Sequence, residues 1–158
     1  MEKEMITGGY WSAYYYEGTI YGTEITRGLD ILKLIPSKYL SKNEIEAAAL
    51  AYPLIGSRRL FNPQQQVPMT WPAKPVVARA YIDQLMKDKA LEENIAESII
   101  ERLGLVDVAM EKGGNNRLAR QIKRYELSVD ARSVDAMTQY RLEKLDATLK
   151  EIAKGLSK

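Results

Sequence analysis

Residues 8–34, Gly8 to Leu34, read GGYWSAYYYEGTIYGTEITRGLDILKL, and how this stretch folds decides how the rest of the chain is read. It predicts three short antiparallel strands joined by two-residue turns. Period-two alternation sets Trp11, Ala13 and Tyr15 on one side of the first strand and Ser12, Tyr14 and Tyr16 on the other. Glu17-Gly18 has the form of a tight hairpin turn, in which glycine tolerates a positive φ. Fixing that turn fixes the register: Tyr16 faces Thr19, Tyr15 faces Ile20, Tyr14 faces Tyr21 and Ala13 faces Gly22. Tyr14, Tyr16 and Tyr21 then form an aromatic cluster, with cross-strand contacts of roughly 0.2–1 kcal/mol each. A second turn at Arg27-Gly28 leads into Leu29 to Leu34, with Leu32 and Leu34 sharing a face with Ile25 and Asp30. Glu24 and Asp30 neighbour Arg27 around this turn, where an ion pair would pin it.

Both faces of such a sheet are largely apolar or aromatic, and a modest helical tail can cover only one of them. Two unpaired edges remain as well, which proteins normally avoid. The expectation is therefore an incomplete sheet that finds a partner. Its candidate interaction surface comprises Trp11, Tyr14, Tyr16, Tyr21, Glu24 and Arg27, together with Trp71 further along. Strand aromatics more often serve as cross-strand filler than as a ligand-stacking platform.

The chain of 158 residues has 23 basic and 21 acidic residues, a net charge of +2. That balance fits a soluble globular protein. The two signs are interspersed along the sequence and form no basic stripe, which argues against nucleic acid as a partner. No run approaches the roughly 20 apolar residues of a membrane-spanning helix. The start, MEKEMITGGYW, lacks the apolar core of a secretory signal. With neither histidine nor cysteine, Ser-His-Asp and Cys-His nucleophiles, thiolate zinc sites and imidazole-bound metals are excluded. No acid-rich calcium loop and no phosphate loop is present. No catalytic, cofactor-binding or metal-binding residue is assigned, and no cofactor is expected. The acid pairs Glu92 with Glu93, Glu97 with Glu101 and Asp130 with Asp135 read as solvated charge on helix faces and turns.

Ser41-Lys42-Asn43-Glu44 has the form of a capping box and predicts a short helix to about Ala51. The following PLIGSRRLFNPQQQVPMTWP carries four prolines and no helical period, so it reads as an irregular strap anchored by Phe61, Met69 and Trp71. Arg58-Arg59 within it reads as a solvated pair. Past Pro72 the pattern turns helical. Val76, Val77, Ala80, Tyr81 and Leu85 make one stripe, with Pro75 in its first turn. Ile95, Ile99, Leu103, Val106 and Met110 make the next, with a break or bend at Gly104. Gly113-Gly114 ends that helix. Asn115 caps another, to about Val129, which carries Leu118, Ile122, Tyr125 and Val129. The last begins near Ser133 and carries Leu142, Leu145, Leu149, Ile152 and Leu156. Four such stripes joined by short turns predict an antiparallel bundle.

Several residues carry a family resemblance. Gly9, Trp11-Ser12, Ile20-Tyr21-Gly22-Thr23-Glu24-Ile25, Arg27-Gly28-Leu29-Asp30-Ile31, Pro36-Ser37, Leu40-Ser41 and Asn43-Glu44-Ile45 resemble the closing strands and exit segment of bacterial LVIVD-repeat proteins, which are similar to β-propellers. Met69-Thr70-Trp71-Pro72-Ala73 and Ala78-Arg79-Ala80-Tyr81 also fit the tails of such proteins. The helical end is similar to the small FIMAH modules of secreted bacterial proteins. The LVIVD resemblance implies export by an upstream signal peptide and a place in the cell envelope or outside it. A propeller repeats four-stranded blades around a channel, whereas this chain holds part of one blade and no internal repeat.

The expected fold class is α+β: an N-terminal antiparallel β-meander, a partial propeller blade, over 1–35, then a short helix and proline-rich strap over 36–71, and a mainly α-helical antiparallel bundle over 72–158. The expected function is that of a non-catalytic C-terminal fragment of a secreted or cell-envelope LVIVD-repeat protein, acting as an interaction or structural module. Its partner is the remainder of a propeller-like protein or another copy of the chain. The alternatives are a self-contained module that homodimerises through its strand edges, and a carboxylate-based glycan-active protein that would depend on Glu24.

Overall fold

The computed structural model of the chain describes residues 8–53, 68–125, 127 and 135–157. Three strands open it: β1 (Tyr10–Tyr16), β2 (Thr19–Glu24) and β3 (Gly28–Lys33), antiparallel in the order β1-β2-β3. Glu17 and Gly18 take φ of +46° and +81°, the paired positive values of a two-residue hairpin turn whose twist matches its strands. The register follows from it: Tyr16 opposite Thr19, Tyr15 opposite Ile20, Tyr14 opposite Tyr21 and Ala13 opposite Gly22.

Two features of the meander differ from expectation. The second turn has three residues, Ile25 to Arg27, because Glu24 pairs with Gly28. Gly28 absorbs the reversal with a φ of +91°, and Ile25 sits exposed in the turn instead of on the face of Leu32. The register of β1 also shifts between Tyr10 and Ser12, which makes Trp11 the extra residue of a β-bulge. A bulge turns the residue before it onto the opposite face. Tyr10 consequently joins the side of Ala13, Tyr15, Ile20, Gly22 and Leu32.

The helices follow. α1 (Lys42–Ala48) begins with the expected capping box, the Ser41 hydroxyl accepting from Glu44 N–H and the Glu44 carboxylate from Ser41 N–H. Tyr52–Pro53 (β4) and Met69–Thr70 (β5) then pair as a two-stranded ribbon, so the ends of the expected strap are ordered against each other. Met69 is exposed, whereas Trp71 packs on the small cluster of Ala47, Val77 and Ala80. Phe61 and Arg58-Arg59 lie outside the described residues.

The remaining helices are α2 (Pro75–Lys87), α3 (Glu93–Leu103), α4 (Val106–Glu111), α5 (Asn116–Lys123) and α6 (Ala136–Leu156). Proline opens α2, where its missing N–H leaves no intrahelical bond unmade. Gly104 separates α3 from α4, and Gly113-Gly114, both at positive φ, separate α4 from α5. Asn115 caps α5 by accepting from Arg117 and Leu118 N–H. α5 stops at Lys123, well short of Val129, which lies outside the described residues as do Ser133 and Asp130. Asp135 caps α6 instead, accepting from Met137 and Thr138 N–H.

One core joins these helices. Leu142, Leu145, Leu149, Ile152 and Leu156 of α6 are all buried, against Ala78, Ile82 and Leu85 of α2, Ile99 and Leu103 of α3, Val106 of α4 and Leu118 and Ile122 of α5. α5 runs back along α6, tied by Asn115 N–H to the Leu156 carbonyl at 2.9 Å. Met110, expected in the core, is partly exposed, and Ala109 takes its place. α2 buries two sides, one toward α6 and the other, through Val77 and Ala80, toward α1. The chain is thus α+β, a three-stranded antiparallel sheet followed by packed helices. No helix among the described residues is long and apolar enough to cross a membrane.

Candidate functional site

Six of the seven candidate surface residues sit on the meander. Tyr14, Tyr16 and Tyr21 share one face with Leu29 and Ile31, and the cross-strand row runs Tyr14, Tyr21, Ile31. Tyr14 is 60% exposed and Ile31 62%. On the other face Tyr15 and Leu32 are also exposed. Trp11, lifted by the bulge, is 79% exposed. Among the described residues nothing pairs with the outer edge of β1 or of β3. Such a surface has the apolar character of a face that packs against another sheet.

Glu24 and Arg27 do something different. The Glu24 carboxylate, only 6% exposed, receives Gly9 N–H at 3.0 Å on one oxygen. Its other oxygen takes Thr26 N–H at 2.8 Å, the Thr26 hydroxyl at 2.7 Å and Arg27 N–H at 2.6 Å. Chiefly the Thr26 hydroxyl, then the backbone donors of Arg27, Gly9 and Thr26, hold its pKa down at about 2 against the opposing effect of burial. A carboxylate so fixed in its charged form is not a proton donor near neutral pH. It closes the β2–β3 turn and ties the start of β1 to it, helped by Ile25 N–H donating to the Gly9 carbonyl.

Arg27 reaches the other way, donating to Asp30 at 2.7 Å. Tyr10, brought over by the bulge, donates its hydroxyl to the same carboxylate oxygen at 2.5 Å. These two donors, Tyr10 first, lower the Asp30 pKa, and the Asp30 bond in turn raises that of the phenol. Tyr10 crosses directly over Gly22: a Cβ there would meet its Cε1 at 2.4 Å. Sequence reasoning missed Tyr10, Thr26 and Gly22. Gly22 is the signal that could have found them, because glycine inside a strand marks a bulge or a close approach.

Trp71 lies elsewhere. It lines a groove of about 340 Å³ with Leu40, Tyr81, Met137 and Tyr140, between α1, α2 and α6. The structure therefore does not bring it to the sheet surface. Among the described residues, no group of three or more carboxylates is placed to hold a metal ion.

Comparison with known proteins found no matching family model, no matching curated protein and no matching solved structure.

Proposed function

We propose that the chain is a non-catalytic terminal portion of a secreted or cell-envelope LVIVD-repeat protein. In it β1–β3 form part of a propeller-like blade, and the helices, similar to a FIMAH module, act as an interaction or spacing unit. The observation that carries this proposal is the exposure of large apolar side chains on both faces of a sheet whose two edges are also unpaired among the described residues. Blades arranged radially around a channel have a neighbour on each face. The residues that carry the LVIVD resemblance also include Gly22, Glu24, Arg27, Gly28 and Asp30, the ones that shape the β2–β3 turn and its network.

A second copy of the chain is the rival partner, favoured by the open edges. Two-fold dimers are isologous, each copy using the same patch. One such contact covers one face or one edge and leaves the opposite face bare, so neighbours on both sides account for more of the surface.

Amide hydrogen exchange on the dilute chain tests the proposal. Amides of β1–β3 are expected to exchange with little protection while those of α2 and α6 stay protected. Protection in the sheet equal to that of α6, in a chain shown to be monomeric by sedimentation, would refute it. A concentration-dependent gain of protection accompanied by doubled mass would favour the homodimer.

A further inference from the structure

The net charge of +2 hides a strong local imbalance. Residues 112–124, KGGNNRLARQIKR, hold five of the 23 basic residues and none of the 21 acids, leaving 18 bases against 21 acids elsewhere. Folding then adds to this segment. Lys150 and Lys154 of α6 converge with Arg120 and Lys123 of α5 on one groove of about 500 Å³. Ala119 and Ala153, both buried, also line it, and their small side chains leave the trough open between the two helices. Cations in the last turn of α5 complement its dipole, which accounts for Arg120 and Lys123 without a ligand. Lys150, two turns from the end of α6, lines the same trough and pairs with Asp146 one turn before it.

We propose that the α5–α6 groove binds a linear chain of phosphate groups that carries no nucleobases. Charge complementarity selects an anion: among the described residues four cations line the groove and Glu151 is the one acid. The cations are also available for rearrangement. Lys150 pairs with Asp146 at 2.6 Å and Lys154 with Glu151 at 3.6 Å, and exposed ion pairs of this kind contribute little, so an incoming phosphate displaces them at small cost. The trough shape suits a chain lying along it better than a flat bilayer. Proteins that hold single-stranded nucleic acid add aromatic side chains on which the bases stack, and among the described residues no aromatic side chain lines this groove. The inference stands apart from the proposal for the sheet, since it uses none of the sheet's residues.

Titration of the full chain with inorganic polyphosphate, followed by calorimetry at several salt concentrations, tests it. Binding is expected to weaken steeply with salt, because each neutralised phosphate releases a counterion. Combining Arg120→Gln, Lys123→Gln and Lys150→Gln is expected to raise Kd at least tenfold and flatten the salt slope, with the circular dichroism unchanged because all three residues are exposed and the melting temperature lowered only slightly by the lost dipole and ion-pair contributions. A matched variant with Lys38→Gln, Lys42→Gln and Lys74→Gln should bind like the parent. The proposal is overturned by absence of binding at 50 mM salt, by equal weakening in the two variants, or by tighter binding to a single-stranded oligonucleotide or to vesicles of anionic phospholipid.

Discussion

Glu24 accepts four hydrogen bonds around a three-residue turn, and that arrangement makes a pH-dependent statement about the sheet. Its pKa falls from an ordinary 4.5 to about 2, so the folded state binds the proton less readily than the unfolded chain. The stabilisation is therefore complete above pH 4.5 and is lost as the pH falls through 2. Amide resonances of Thr26 and Arg27 should titrate with a midpoint near 2; a midpoint above 4 would show that the carboxylate is not held this way. Glu24→Gln sets an NH₂ group among donors and should remove both the titration and the order of the turn. At Gly22 the constraint is steric. A Cβ would strike the Tyr10 ring at 2.4 and 2.7 Å, so Gly22→Ala should displace the ring and break its bond to Asp30. Since that bond raises the phenol pKa, Tyr10 in the variant should ionise at lower pH than in the parent, measured on its ring resonances.

In the elements, burial separates positions that look alike in the sequence. Leu145 is fully buried at the middle of α6, and Leu145→Ala should cost about 2–5 kcal/mol through lost contact and the cavity left behind. Met137, exposed in the first turn of the same helix, should tolerate alanine within about 0.5 kcal/mol. Ser41→Ala removes a capping box and a hydroxyl that also donates to Asp83 at 2.5 Å, for an expected loss of about 0.5–2 kcal/mol. Urea unfolding of the three variants checks all of these. The α6 stripe was legible because one long helix with one buried side keeps a constant period. α2 was only half legible: it serves two clusters, so Ala78 and Ile82 point away from Val77 and Ala80, and a single stripe cannot describe it. Met110 was misplaced because α4 turns inward the residue three after the buried Val106, Ala109, and not the one four after it. The first hairpin could be read to the residue because its turn sets the register. The Trp11 bulge inserts one residue without changing the apolar pattern, so Gly22 is the mark it leaves in the sequence. The basic groove was half legible: residues 112–124 carry five bases and no acid, an exception to the interspersed charge of the rest of the chain, while Lys150 and Lys154 lie on another helix more than twenty-five positions away.

Across the whole molecule, the sheet and the helices draw on separate sources of stability. The strands of the sheet contact chiefly one another, and among the described residues the helical core contains no strand residue. Where the two parts meet, at the hairpin tip, a Cβ added at Gly18 would come within 3.2 Å of Ala49. Tyr14 and Ile31 therefore contribute area to a face that the helices do not cover. Replacing both with serine should leave the melting temperature of the helices within about 2 °C of the parent, as exposed substitutions change stability by about 0.5 kcal/mol or less. Leu145→Ala, by contrast, should lower it by several degrees and leave sheet resonances unchanged. The same double serine variant should reduce any self-association seen by sedimentation, because it removes apolar area from the face available to a neighbouring sheet. If Tyr14→Ser with Ile31→Ser instead lowered the helical melting temperature as much as Leu145→Ala does, the sheet would have to be packed on the bundle in solution. Its aromatic face would then belong to the chain's own core and would not be a surface for another sheet.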